Sequence, residues 1–330
     1  MIGRRALSSA WLAVACIYAA CAWAPARADH AALLQEIELP DTRGRIDHLA
    51  IDLEHRRLFI AALGANTVEV IDLQAGKRIG KLQGRGEPQG VAYVPAAQRL
   101  LVANGGGGNL EAFRDGQSQS IAADLPDADN LRLDARSGRV YAGYGNALAE
   151  IDPLSLQVLQ RMPLPGHPEA FELSSTGPRV YVNVPTARAV IVLDRGDGRT
   201  LATWSIAPAS RNFAMALDEP NRRLLIATRD PASLLVLDLD TGRRVAELAL
   251  CGDVDDLFLD ARRHRIYAVC GEGLLAVVPQ RDADHYGPMQ KIATSTGART
   301  GLFVPALDRL FVAAPARLLR SARLLVFRLD

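Results

Sequence analysis

The sequence predicts an all-β fold: a seven-bladed β-propeller of four-stranded antiparallel blades, its ring closed by an N-terminal strand that pairs with the C-terminal blade. Three observations lead there. An arginine followed by Leu, Val or Ile recurs at Arg57, Arg99, Arg139, Arg179, Arg223, Arg265 and Arg309. The interval is roughly forty residues, the mark of a repeat whose unit needs neighbours to bury its faces. Between the arginines lie short β-branched runs bounded by Gly and Asp turns, which read as strands. The last repeat lacks a fourth strand, and an extra strand-like segment precedes the first.

Residues 1–28 stand apart from the repeats. Arg4 and Arg5 precede an apolar stretch over 7–24, and Ala26-Arg27-Ala28 supplies the small residues of a cleavage site. This pattern predicts an export signal peptide. The competing readings are an uncleaved anchor and a lipidated Cys21. Simple cleavage before Asp29 is expected, by the Sec route, because Gly3-Arg4-Arg5-Ala6-Leu7 is a thin twin-arginine match. The mature chain, 29–330, is then one propeller domain, periplasmic or secreted, with no further stretch of membrane-spanning length.

Within the first repeat the four strands fall at 48–53, 57–63, 67–73 and 78–82. The third strands are the clearest, as in Val68-Glu-Val-Ile-Asp-Leu73, Ala189-Val-Ile-Val-Leu-Asp194 and Leu234-Leu-Val-Leu-Asp-Leu239. The turns after them, Gln74-Ala75-Gly76, Arg195-Gly196-Asp197-Gly198 and Asp240-Thr241-Gly242, carry residues that tolerate positive φ. The seventh repeat ends on a third strand at 324–328. Its missing partner is the segment 33–39, and pairing the two removes an exposed sheet edge. A contact needed once per blade is structural, so the repeated arginine is expected to join blade to blade.

Composition narrows the function. The chain is 49% hydrophobic with a formal charge of +1, and losing Arg4, Arg5 and Arg27 makes it slightly acidic. No basic footprint for nucleic acid is present. Cys16 and Cys21 leave with the signal, so Cys251 and Cys270 remain as an even pair in an oxidising compartment. They are expected to form a disulfide within the sixth repeat, at the end of the ring where its inner strand begins and its second strand ends.

The runs Leu58-Phe-Ile-Ala-Ala-Leu-Gly-Ala-Asn-Thr-Val-Glu-Val-Ile-Asp-Leu73, Leu100-Leu-Val-Ala-Asn104 and Val180-Tyr-Val-Asn183 resemble the forty-residue YVTN β-propeller repeat. The mature chain resembles the bacterial YncE-like proteins built from it. That resemblance implies a soluble seven-bladed protein of the cell envelope. It implies no particular reaction, since the same repeat occurs in surface-layer proteins and resembles the propellers of periplasmic quinone and haem enzymes.

Aligning the repeats on their arginines identifies the residues at one mouth of the central channel. Just before the inner strands stand Asp47-His48, Gln89-Gly90, Asp129-Asn130, Glu169-Ala170, Phe213-Ala214, Asp255-Asp256 and Arg299-Thr300. Further out lie Arg45, Glu87, Asp127, His167, Arg211 and Asp253. These positions differ between blades while the strands repeat, and that is where function is expected. The candidate ligand-binding residues are Asp47, His48, Gln89, Asp129, Asn130, His167, Glu169, Asp255, Asp256 and Arg299. Asp129, Glu169 and Asp255, with Asn130 as a carbonyl donor, are suited to calcium or magnesium. His48 and His167 with a carboxylate are suited instead to a transition metal. The structural alternative is a polar, water-filled rim of salt bridges.

No C-x-x-C-H haem motif or G-x-S-x-G elbow is present. Gly105 to Gly108 reads as a flexible loop, because no helix follows it to bind a phosphate. The motif of the metal-dependent propeller lactonases is absent, Glu87-Pro88-Gln89-Gly90 being a faint echo. The expectation is a monomeric binding or scaffold protein that takes a small molecule or protein at the acidic mouth, with a divalent cation as the one candidate cofactor. The alternative is a metal-dependent hydrolase or lyase, lactonase-like, that uses the same mouth with His48 or His167 as general base.

Overall fold

The computed structural model describes residues 31–84, 86–122 and 124–330; the segment assigned to the export signal lies outside them. These residues form seven four-stranded antiparallel sheets, six of them ordered from inner to outer strand as the chain runs and the seventh completed by the N-terminal strand. Blade 1 is typical, with strands Leu49–Asp52, Arg57–Ala62, Thr67–Asp72 and Lys77–Gln83. The second strand starts at the repeat arginine in every blade except blade 3, where it starts one residue later at Val140.

The ring closes as the sequence implies. Ala31–Leu39 is the outer strand of blade 7, antiparallel to Ala322–Leu329. Ile37 sits opposite Leu324 and Leu39 opposite Ala322, with a bulge between Leu33 and Gln35. The N-terminal strand thereby covers the edge that the last blade would expose.

The core is a ring of blade interfaces. Its buried apolar residues fall into seven clusters, one for each pair of neighbouring blades. One face of each sheet meets the opposite face of the next, so both faces are apolar and the strands read as continuous hydrophobic runs. Val180-Tyr-Val-Asn183 shows this: Tyr181 packs with blade 5 and Val180 and Val182 with blade 3.

The repeat arginines have a structural use. In blades 2, 4 and 5 they reach into the next blade's third-to-fourth-strand connection: Arg99 to the Leu154 carbonyl (2.5 Å), Arg179 to that of Leu239 (3.2 Å) and Arg223 to the Asp284 carboxylate (2.7 Å). In blade 6 Arg265 reaches the Asp330 carbonyl (2.8 Å), just after the third strand of blade 7. Arg57 and Arg139 instead pair within their own blades, with Asp52 and Asp152, and Arg309 bonds the Asp308 carbonyl. The residue before the arginine has positive φ in six blades, at Arg56, Gln98, Gly138, Arg222, His264 and Asp308. Pro178, whose ring fixes φ near −65°, occupies that place in blade 4.

Cys251 and Cys270 are joined by a disulfide, with Cα atoms 5.9 Å apart. Blade 6's inner strand runs away from the mouth and its second strand returns, which places Val254 opposite Cys270. The bridge therefore ties down the entry loop that carries Asp253 and the start of the inner strand that carries Asp255. No helix among the described residues is long and apolar enough to cross a membrane.

Candidate metal centre at the channel mouth

The mouth is set by how the chain turns into each inner strand. Glu87, Asp127, Arg211, Asp253 and Gly297 occupy the same place in five blades, and all have positive φ. The residues that follow are tied by their backbone to the second strand of their own blade. Asp47 N–H donates to the Ala61 carbonyl (2.7 Å), Asp129 N–H to Gly143 (2.9 Å) and Glu169 N–H to Asn183 (3.0 Å). Their side chains are thus fixed beside the channel by the sheet ladders.

Three of these side chains converge. His48 Nε2 lies 3.6 Å from Asp129 Oδ1 and 3.8 Å from Asp47 Oδ1. One ligand atom from each of Asp47, His48 and Asp129 falls within 4.8 Å of the others. Asp47 is 2% exposed and Asp129 9%, so neither belongs to an open, solvated rim. Asp129 Oδ1 is buried and has no hydrogen-bond partner, a costly state for a carboxylate oxygen. Two carboxylates and an imidazole facing one another beyond hydrogen-bond reach form a cluster able to hold a divalent cation.

The partners of the cluster come from several blades. Asp47 Oδ2 accepts from Arg45 Nη2 at 2.7 Å. His48 Nδ1 faces Asp256 Oδ1 at 3.9 Å, while Asp256 Oδ2 accepts the Gly301 N–H at 2.8 Å. His167 Nδ1 donates to the Gly145 carbonyl at 2.8 Å, and its Nε2 faces Asp129 Oδ2 at 4.0 Å. Asp47 and His48 belong to blade 1 and Asp129 to blade 3. Gly90 of blade 2 lies between them, and a Cβ there would fall 1.7 Å from the Asp129 carbonyl oxygen. Only glycine lets blade 3 approach this closely.

Asp255 is engaged elsewhere. Arg229 is stacked 3.8 Å over the Phe213 ring and paired with both Asp255 and Asp253. Arg299 lies 3.1 Å from Asp253 and 3.6 Å from Asp255. Of the set Asp129, Glu169 and Asp255 considered for a hard cation, only Asp129 lies in the cluster that gathers. Asn130 is buried beside it and accepts from Arg132 Nη1 at 2.6 Å. Gln89 is buried and packs against Gly105.

Three contributors lie outside the aligned mouth positions. Arg229 stands at the far end of blade 5's second strand, outside the aligned positions. Arg132 and Glu172 form a second layer, two residues further along the inner strands of blades 3 and 4. Period-two alternation along those strands is the signal that points to them.

Crowding of acids in a buried space sets the charge of the mouth. Burial, with Asp129 adding to it, pushes Glu169 up to about 8. Burial also lifts Asp255 to about 7 against Arg229, and Asp47 to about 6 against His48. Asp129 chiefly holds His167 protonated, up to about 9. Burial disfavours the His48 imidazolium, but Asp47, Asp256 and Asp129 outweigh it and its pKa is raised. Burial likewise opposes ionisation of Asp129, yet His167, His48 and Arg45 bring its pKa below the usual value.

A pH dependence follows. Glu169 and Asp255 bind protons more tightly folded than unfolded, so the stability they contribute is complete below their ordinary values near 4. It is lost as pH rises through about 7 for Asp255 and about 8 for Glu169. Metal-free protein is expected to lose thermal stability between pH 5 and 9, and Glu169→Gln to flatten that decline and melt above the wild type at pH 9. Parallel melting curves for the two proteins across that range would contradict this account of Glu169.

No protein-family model matches the chain, and no curated protein matches it. Solved structures do. A chain of hydrazine synthase from Kuenenia stuttgartiensis superposes with a TM-score of 0.73 at 15% identity, covering 83% of this chain and 93% of that one. A chain from a crystal structure of the mitotic checkpoint complex superposes with a TM-score of 0.77 at 14% identity, covering 98% and 99%. At such identities the likeness is one of fold. The chain is a seven-bladed β-propeller, a fold able to bind a ligand or partner, with an Asp–His–Asp cluster in its channel mouth.

Proposed function

We propose that the mouth binds a divalent cation through Asp47, His48 and Asp129, and that the protein is a metal-dependent hydrolase or lyase acting on a small molecule admitted to the channel. The observation that carries this reading is the unpartnered, buried Asp129 Oδ1 facing His48 Nε2 across 3.6 Å. A cation there would supply Lewis acidity to a substrate carbonyl or phosphoryl oxygen. Around it, Arg45 steadies Asp47, and Glu169, whose carboxyl burial and Asp129 push up to about 8 in the metal-free mouth, is placed to give a proton to a leaving group. His167, held protonated by Asp129, suits charge stabilisation better than the general-base role expected from the sequence. The resemblance to YncE-like proteins and the signal-like N-terminus support a cell-envelope setting for this chemistry, on a mature chain beginning at Asp29.

The test is turnover. Protein stripped with a chelator and reloaded separately with zinc, manganese, calcium or magnesium is assayed on lactones, carboxylic esters and phosphoesters. Hydrolysis that appears on reloading and disappears on chelation is expected. A cation bound at the cluster with no turnover of any substrate class would replace the enzyme by a metal-dependent binding protein.

A further inference from the structure

Repetition gives a baseline against which one loop stands out. The connection between the second and third strands of blade 7 runs over 315–321 and is longer than its counterpart in any other blade. At its tip are Leu318 and Leu319, 102% and 93% exposed, the two most exposed large apolar side chains among the described residues. The loop is built as a small hairpin: Arg317 and Arg320 exchange backbone hydrogen bonds of 2.9 Å in each direction. Its base is fastened by the Arg317 guanidinium, which donates to the Thr296 carbonyl at 3.0 and 2.7 Å. On the other side Arg320 pairs with Glu36 at 3.2 Å. The leucines are therefore held out into solvent by a braced structure.

We propose that this finger docks the protein on an anionic lipid surface. Two adjacent leucines expose apolar area that folding leaves unused. They fall far short of the roughly 800 Å² per partner that a stable protein–protein interface takes, a second copy of this chain included. Insertion of a tip into the acyl boundary needs no matching pocket, and flanking cations complete it from the headgroup layer. Arg317 and Arg320 flank the tip, and exposed Arg43 lies on the segment that shares a cleft with the finger. Counting the buried Arg323, the cations of this region, Arg43, Arg317, Arg320 and Arg323, outnumber by one its acids, Glu36, Glu38 and Asp41. Contact of this kind is weak and reversible, and depends on charge as well as on the leucines. Because the finger leaves blade 7 on the side where the inner strands begin, docking turns the channel mouth toward the lipid.

The experiment uses the full chain and a readout confined to the finger. Leu319→Trp is mixed with vesicles of phosphatidylglycerol and phosphatidylethanolamine, and the wild-type emission is subtracted. The expected result is a blue shift of the difference spectrum, quenching by bromine-labelled acyl chains, and loss of both in molar salt or on pure phosphatidylcholine. In parallel, Leu318→Asp with Leu319→Asp, whose melting temperature should match the wild type, is expected to reduce the finger-dependent share of vesicle co-sedimentation at least tenfold. A difference spectrum that stays unshifted and unquenched on anionic vesicles overturns the proposal. So does co-sedimentation that the double substitution leaves unchanged. Neither outcome bears on the metal centre, which is assayed without lipid.

Discussion

Asp129→Ala and Asp47→Ala are each expected to weaken divalent-cation binding by roughly a hundredfold or more. Substituting an outer-shell partner of a metal ligand already costs about 10–100-fold, and each of these residues supplies a ligand atom itself. Asp129 carries the larger secondary effect. It is the principal group holding His167 at about 9 and one of the carboxylates that raise Glu169. In metal-free Asp129→Ala both groups should therefore titrate nearer their ordinary values, which NMR of the His167 ring would follow. Calorimetric titration with zinc and manganese reads the affinity. Unchanged binding in both variants, with His167 still protonated at pH 8, would remove Asp129 from the centre of the site.

Replacing Cys251 and Cys270 together by serine is expected to lower stability by about 3 kcal/mol. The cysteines are separated by 19 residues in sequence, and closing a loop of that size restricts the unfolded chain by about this amount in the chain-entropy model. Both residues are buried, so the serine hydroxyls add a cost of their own. The consequence reaches the mouth, because the loop between them carries Asp253 and Asp255, the acids that engage Arg229 and Arg299. Denaturant unfolding of oxidised wild type and the double variant measures the difference. Equal midpoints, or free thiols at both positions in unfolded, unreduced wild type, would contradict it.

The fold was legible because its determinants are local and repeated. An arginine at the start of the second strand, a left-handed residue before it and an Asp or Gly turn after the third strand recur in most blades, so a single chain contains its own alignment. Ring closure was legible for a related reason: strand segments at the two ends complete one blade. The site was legible only in outline. Aligned positions bring out Asp47, His48 and Asp129 as mouth residues, but a sequence holds no distance across a channel. His48 and Asp129 come from blades that are not neighbours, and they meet because Gly90 leaves no side chain between the inner strands. Asp255 matches the donors in chemistry, yet it is engaged by Arg229 from a strand end outside the aligned mouth positions. Burial was the other hidden quantity: a rim that reads as solvated is closed over Asp47 and Asp129, which is what makes their charges consequential.

The proposed metal site is the Asp47–His48–Asp129 cluster, and metal content tests it most directly. The full chain, stripped of metal and dialysed against a limiting mixture of zinc, manganese, calcium and magnesium, is analysed by inductively coupled plasma mass spectrometry beside His48→Ala. One cation per chain in the wild type and none in His48→Ala is the predicted result. A wild type that retains no stoichiometric cation, or a His48→Ala protein that retains as much as the wild type, would contradict the assignment.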